Sequence, residues 1–558
     1  MAGKIDVLFI THLRMPRDSG SASVYRPLRL EIMGQPAALP ILRLLARGGD
    51  PAPALQAFSR EAMLRGSPPV LTPIYLQDYM RRRGLSLVEI PCLETGMPQV
   101  QQAVARGVNL IALCTTWQAD AQAAMHLRQA AAQLRAAAPG VPLIAGGVGV
   151  RKGLKAMEML RGQMLPGVPA EALANLYLLI RPDLDNVFDA IVVSEGGEAT
   201  LAAIANRLRD GNDFRDLPNL ALPKGDHYDF TPTEPETTEL DDEGVDWSRY
   251  SERIRGFEAP IRTAVGCPFR CEFCDFAGLY TARQRATESI LAELRTLGDA
   301  LPAPRRVFFT DDNIALTQRR LEEFARALID ARLGLSWRAF CRADAIDEST
   351  AALMKESGCR ECLLGIESGD PGILRNMNKR LDLDRAVSAV RLLDANGIGT
   401  QCTFVVGFPG ECAATIERTA QFISALPSGA SARALHRYYM FRFVVLPLCP
   451  AAGRDQRIAH GLSGIGENWA HRTMNSVEAE AAVRELFLKA RGPSHMYLEF
   501  VPQEWPLATT RRIMELRDAI QKDRLNGADT DGEKNLLAAV READAIPGAG
   551  SAGRQPPS

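Results

Sequence analysis

Three cysteines fall within eight positions of the sequence, Cys267-x3-Cys271-x2-Cys274 in the stretch VGCPFRCEFCDF, with no histidine and no fourth cysteine close by. Three thiolates on one tight loop bind three corners of an iron–sulfur cube, whereas a closed structural site normally recruits a fourth ligand. The spacing therefore points to a cluster with one iron left open to a substrate or cofactor. A zinc site completed by a remote residue and a set of unrelated core cysteines are the competing readings. Pro268, Arg270 and Glu272, lying between the thiols, speak against core packing.

The elements that must carry this loop are legible around it. It follows PIRTAV, read as the first strand of a β/α unit, and such barrels build their active sites on loops at the C-terminal ends of strands. From residue 258, strand signals recur in RVFFTDD, SWRAFCRAD, ECLLGIES, GTQCTFVVG and YYMFRFVVL, with helical stretches between them. That is enough for an incomplete parallel barrel over 258–450, a partial (β/α)6 unit. Residues 451–540 read as mainly helical, and 541–558 as a disordered tail by composition.

Upstream, residues 1–225 alternate apolar runs (IDVLFI, LSLVEIP, VNLIALC, VPLIAGG, FDAIVVS) with amphipathic stretches such as AMHLRQAAAQLRAAA. This pattern predicts a Rossmann-like parallel sheet covered on both faces, interrupted by a long insertion at about 12–70. Residues 226–257, polar and without periodicity, read as an exposed linker. The fold class is α/β: a parallel-sheet domain, a barrel and a helical C-terminal region.

Composition narrows the function. A formal net charge of −2 gives no electrostatic case for nucleic acid, and no apolar run approaches the roughly 18 residues a membrane span needs. The segment MAGKIDVLFITH lacks a signal-peptide pattern and reads as a first strand. Eleven cysteines in 558 residues are too sparse for a disulfide scaffold, which places the protein in a reducing cytoplasm. Cys92, Cys114, Cys341, Cys402 and Cys449 read as small core residues, and Cys359 and Cys362 as a pair packed in a strand.

CPFRCEFC after a strand resembles the signature loop of the radical S-adenosylmethionine (SAM) enzymes. The resemblance implies a [4Fe–4S] cluster on Cys267, Cys271 and Cys274 whose open iron is chelated by SAM, which one-electron reduction splits to give a 5′-deoxyadenosyl radical. Phe273 matches the position that contacts the adenine. By the same resemblance, Asp311 and Asp312 of TDDNIAL would lie near the methionine end of SAM, and Arg342 of CRAD would partner its carboxylate. Glu367 and Ser368 of LLGIESGD match positions that meet the ribose, and Gly407, Phe408 and Pro409 of FVVGFPGE match the segment that packs on the adenine.

The N-terminal domain carries glycine-rich turns at strand ends, LIAGGVG (Gly146, Gly147, Val148, Gly149) and VVSEGGEATL (Ser194, Glu195, Gly196, Gly197), where a ligand can approach the backbone. With the order of elements, these resemble the cobalamin-binding domain that precedes the core in B12-dependent radical SAM enzymes. Thr115, Thr116 and Trp117 of LCTTWQAD match the loop facing the corrin. No Asp-x-His-x-x-Gly motif is present, so the resemblance implies cobalamin without a histidine ligand, with Trp117 or an insertion residue at its lower face. Tyr438 and Tyr439 are candidates for the substrate pocket; ENWAHRTMN (Trp469, His471, Arg472) reads either as a further part of that pocket or, as the safer reading, as a surface helix.

The function this implies is a cobalamin-dependent radical SAM methyltransferase, passing a methyl group from SAM through methylcobalamin to an unactivated carbon of a small molecule or peptide. A flavodoxin- or ferredoxin-type electron donor is implied, with neither nucleic acid nor membrane as partner. The alternatives are a non-methylating rearrangement, cyclisation or oxidation with the same cofactors, a radical SAM enzyme without cobalamin, and a non-catalytic metal-binding scaffold.

Overall fold

The computed structural model describes residues 4–14, 28, 31–32, 35–36, 39–48, 70–116, 122–236, 238–255, 257–314, 316–496, 505–528 and 531–546. The expected tail and most of the expected insertion lie outside these residues.

Strands β1 (Ile5–His12), β2 (Leu87–Cys92), β3 (Val108–Cys114), β4 (Leu143–Gly146) and β5 (Ala190–Val192) form a parallel sheet in the order β2-β1-β3-β4-β5. β3 is buried along its whole length, as a strand covered on both faces must be. Val7 and Phe9 of β1 point to one apolar layer, Leu8 and Ile10 to the other. The strand order reverses between β1 and β3, and in doubly wound sheets the crevice outside such a switch point receives the ligand.

The second sheet runs in chain order and is parallel throughout: β8 (Ala259–Ile261), β9 (Arg305–Phe309), β10 (Leu335–Cys341), β11 (Cys359–Glu367), β12 (Gly399–Val406) and β13 (His436–Arg442). Alternation sorts its side chains. Phe309, Trp337, Leu364 and Phe404 face the outer helices, with Phe309 edge-on to Phe324 and Phe404 to Phe422. Arg338, Glu361 and Arg437 take the other face and pair with one another and with Glu258, so these charges stay inside the barrel with partners. The Val7 side of the first sheet and the barrel share one continuous apolar core.

Two expectations about the polar segments are corrected. Within the expected linker, 226–257, β7 (His227–Phe230) instead extends the first sheet, pairing antiparallel with β6 (Leu220–Lys224), which lies before the linker and is itself antiparallel to β5. Further along that stretch, Trp247 is 0% exposed, and its indole N–H donates to Glu293 Oε1 at 3.0 Å. The charged residues around it masked an anchor that locks the connection onto the barrel helix Thr287–Ala300. The supposed surface helix at 467–475 is a small antiparallel sheet in which Trp469 and His471 are buried and stacked 5.1 Å apart. Alternating burial, not helical spacing, explains its residue order.

Part of the insertion packs against the far end of the chain. Leu42, Leu45 and Ala46 of the helix Leu39–Ala46 form a separate apolar cluster with Ile513, Ile520, Leu536 and Val540. Among the described residues, no helix is long and apolar enough to cross a membrane.

Trp247→Ala should cost about 3–5 kcal/mol, the usual range for a fully buried aromatic. The test is chemical denaturation, where the unfolding midpoint should fall well below that of the wild type.

Candidate functional site

The cysteine loop is closed at its base. Ala264–Val265 pairs antiparallel with Arg283–Gln284, so residues 266–282 leave β8 and return beside it. Gly266 starts the loop at φ +74°, and a Cβ there would stand 3.0 Å from the Tyr280 carbonyl oxygen, which favours glycine. Asp311, just beyond β9, accepts hydrogen bonds from Thr263 N at 2.7 Å, Ala264 N at 2.9 Å and Thr263 Oγ1 at 2.5 Å. Burial pushes its carboxyl up to about 6. The far side of the loop is tied to the segment after β11 through Glu272 N to Met377 O at 2.9 Å and Asn378 Nδ2 to Arg270 O at 2.9 Å.

Cys271 is buried, Cys267 and Cys274 are half-buried, and all three are free thiols. Burial raises each of them, Cys274 to about 11, while Arg342 and Lys379 oppose the rise at Cys267 and Cys271. Thiols so placed ionise when a metal supplies the positive charge. Among the described residues, no three His, Cys, Asp or Glu side chains converge closely enough to hold a single metal ion. Three thiols distributed along one loop suit the larger body of an iron–sulfur cluster, whose corners they would hold.

The residues expected around SAM are brought to the same end of the barrel, though several are already engaged. Arg342 makes a two-pronged pair with Asp344 at 2.9 and 2.7 Å and lies 3.9 Å over the ring of Phe269, inside the cysteine loop. Glu367 has φ +73°, pairs with Lys379 Nζ at 3.1 Å, and sits over Gly365, where a Cβ would lie 2.4 Å from its Oε1. Asp312 lies near enough to raise the thiols of Cys267 and Cys274.

Ser368 serves the backbone: its hydroxyl accepts from Asp370 N at 3.1 Å, where Asp370 caps the helix Pro371–Asn376. Phe408 is buried, 4.9 Å from Phe443, and Pro409 is buried beside it. At Gly407 (φ +93°) a Cβ would come within 2.9 Å of Trp469. Phe273 packs partly buried against the barrel core. Tyr438 and Tyr439 lie on β13 with their rings against His495, 5.3 and 5.9 Å from it, and neither lines the inter-sheet cavity.

A cavity of about 330 Å³ opens where the C-terminal ends of the two sheets face each other. Thr116, Gly146, Gly147, Val148, Ser194, Glu195, Gly196 and Gly197 line it from the first sheet, and Asp311 and Asp312 from the barrel. Gly147 (φ +112°) begins the helix Val148–Arg161, and Gly197 (φ +92°) begins Glu198–Arg209, so two helix N-termini face this space, with Val148 N on Thr116 Oγ1 at 3.4 Å and Ala199 N on Glu236 Oε2 at 2.9 Å. The Ser194 hydroxyl is buried there without a hydrogen-bond partner. Thr115 stands behind the wall, donating to Gly146 O at 2.9 Å and accepting from Val150 N at 3.2 Å. Trp117 lies outside the described residues.

Sequence reasoning missed the floor of this cavity. Arg262 pairs with Glu243 and stacks 5.1 Å over the ring of Tyr75, with the buried Glu198 near both. Burial holds the Glu243 carboxyl up at about 7, against the pull of Arg262, with Glu198 adding to the rise. An arginine inside the apolar strand-like run PIRTAV is the one signal that could have found this group.

Residues 261–423 match the Radical SAM superfamily. An uncharacterized methyltransferase of Pyrococcus horikoshii is 27% identical over 247 residues, 43% of this chain and 53% of that protein. The anaerobic magnesium-protoporphyrin IX monomethyl ester cyclase of Rubrivivax gelatinosus is 29% identical over 245 residues, 41% of this chain and 44% of that protein. The chain thus spans about half the length of these curated relatives. Among solved structures, a cobalamin-dependent SAM radical enzyme, OxsB with aqua-cobalamin and SAM bound, superposes with a TM-score of 0.59 at 13% identity, covering 96% of this chain and 75% of that one. At that identity the likeness is one of fold, and it extends over both sheets.

Asp311→Ala leaves three donors at the loop base without their acceptor, at about 1–3 kcal/mol for each buried one. Iron bound per chain after anaerobic reconstitution should fall sharply, with Asp311→Asn intermediate. Glu411 gives a second expectation. Its buried carboxyl receives the N–H groups of Gly407 and Phe408, and burial raises it from 4.5 to about 8. The folded state therefore keeps a proton that the unfolded chain releases. The stability this contributes is fully present below pH 4.5 and is lost as pH rises through 8. Denaturation midpoints of Glu411→Gln, whose side chain stays neutral, should gain on the wild type steadily across that interval.

Proposed function

We propose that this chain, with its radical SAM segment at 261–423, is a cobalamin-dependent radical SAM methyltransferase acting on an unactivated carbon of a small-molecule or peptide substrate. The observation that carries the reading is the shared cavity: the glycine turns of the first sheet and Asp311 and Asp312 of the barrel line one space, next to the loop with three free thiols. When bound, the cluster supplies single electrons, SAM the methyl group and the radical source, and cobalamin the methyl carrier.

The chain's own residues would divide the work as follows. Cys267, Cys271 and Cys274 hold the cluster, and Asp311 fixes the loop that presents them. Arg342, Glu367 with Lys379, and the Gly407 turn border the side of the barrel on which SAM would lie. Ser194, the two helix N-termini at Gly147 and Gly197, and Thr116 suit the phosphate- and amide-bearing tail of cobalamin, since the orphaned Ser194 hydroxyl gains a partner there and the helix dipoles favour an anion. The opposed sheets wall the space on two sides. A one-electron donor of flavodoxin or ferredoxin type completes the system. Eleven free cysteines suit a reducing cytoplasm.

The cyclase among the relatives favours a second reading, a cyclisation that uses the same cofactors. One experiment separates them. Protein reconstituted anaerobically with iron, sulfide and hydroxocobalamin is given a reductant, SAM deuterated at its methyl group, and candidate substrates. Label carried into product is the expected result, whereas an unlabelled, dehydrogenated product would assign cyclisation. Failure of the purified chain to retain any corrin absorbance would defeat the cobalamin reading altogether.

A further inference from the structure

We propose that Lys152 is a positioning residue that couples occupancy of the inter-sheet cavity to the geometry of the cysteine loop, an inference that rests on the cobalamin reading above. The helix Val148–Arg161 begins at Gly147, in the cavity wall. A little more than one turn later, Lys152 Nζ stands 2.6 Å from the carboxylate of Asp275, the residue after Cys274, with the two side chains 18% and 11% exposed. The same ammonium lies 4.4 Å over the ring of Phe276, which itself lines the cavity. Lys155 then donates to Ala277 O at 2.9 Å, and Ala277 N returns to Cys274 O at 3.3 Å. One helix thus touches the ligand space with its first residue and the arm of the third thiol with its second turn.

Two features make this helix a transmitter and not a passive neighbour. Gly149 seats it against the end of β3, and Gly153 against the turn after the helix Ala170–Leu176, since a Cβ at these positions would lie 2.8 Å from Thr115 O and 2.3 Å from Leu178 O. Packed that closely, the helix moves with its N-terminus instead of flexing along its length. The Lys152–Asp275 pair is also largely desolvated, so removing one partner strands a buried charge, unlike the loss of an exposed pair. The other link from the first sheet to the loop base, Glu195 to Arg283 at 3.3 Å, is half-exposed and holds less firmly. Coupling of this kind is reciprocal: whatever a ligand in the cavity does to the cluster loop, cluster formation must do to that ligand's affinity.

The full-length protein, with and without anaerobically reconstituted iron and sulfide, is titrated with hydroxocobalamin by visible absorbance. In the wild type, cluster loading should tighten hydroxocobalamin by about 5-fold or more. In Lys152→Met carrying the same iron content, that factor should collapse to about one, and the swapped pair Lys152→Asp/Asp275→Lys should restore it. A Lys152→Met variant that keeps the wild-type factor overturns the proposal, as does a wild type that binds corrin equally well with and without cluster. If Lys152→Met takes up less iron or loses its circular dichroism spectrum, the swapped pair decides, and its failure to restore coupling is fatal. A wild type that binds no hydroxocobalamin in either state sinks the cobalamin reading and this inference together, an outcome the titration distinguishes from lost coupling.

Discussion

The carboxylate of Asp311 joins the end of a barrel strand to the backbone that launches the cysteine loop, and most of the site hangs from that junction. The loop is short and carries Arg270, Glu272 and Asp275 among its apolar residues, so tethers to the surrounding structure hold its shape. Asp311 fixes where it starts, the two-stranded ribbon fixes where it ends, and Glu272 and Arg270 bond to the segment after β11. The tethers differ in kind: one comes from the end of β9, one is a separate two-stranded ribbon, and one comes from the residues just after the helix Pro371–Asn376. The thiols are consequently placed by the barrel before any iron arrives, which lowers the ordering cost of assembling a cluster.

The second organising fact is that both sheets offer the same edge to each other. Parallel sheets gather their functional loops at the C-terminal ends of the strands, and here the two gatherings meet across a single space. Arg262 and the carboxylates of Glu243 and Glu198 occupy its floor, where low polarity strengthens each interaction and makes an unpaired charge expensive. The barrel repeats this ordering along its axis. Paired charges lie at the starts of the strands, with Phe308 and Phe340 above them and the cysteine loop beyond the strand ends.

Much of this was legible in the sequence where one residue type had one reason to recur. VNLIALC is apolar throughout because both its faces are covered, and it reads as a buried strand at once. The cysteine spacing is equally local. Trp247 was hidden because its partner Glu293 lies 46 residues away, in a helix that the polar run around Trp247 says nothing about. Arg342 and Ser368 show the limit of motif position: each sits at a strand end where a ligand would meet it, yet Asp344 and the Asp370 backbone already engage them. The floor of the cavity draws Tyr75, Glu198, Glu243 and Arg262 from segments far apart in the chain, so only the folded arrangement reveals it.

The small apolar cluster between the insertion and the last helices bears on how the protein is made. Arg43 meets Asp544 across 501 positions of sequence, and Leu42 and Leu45 cluster with apolar residues between Trp505 and Ala543. During synthesis, the helix Leu39–Ala46 leaves the ribosome with its hydrophobic face uncovered and stays so until almost the whole chain has followed. Both sheets can be complete by then. A late step of folding is therefore the capture of an early segment by a late one, and until that moment the apolar face of the helix Leu39–Ala46 is a surface that a chaperone, or a second unfinished chain, would find exposed.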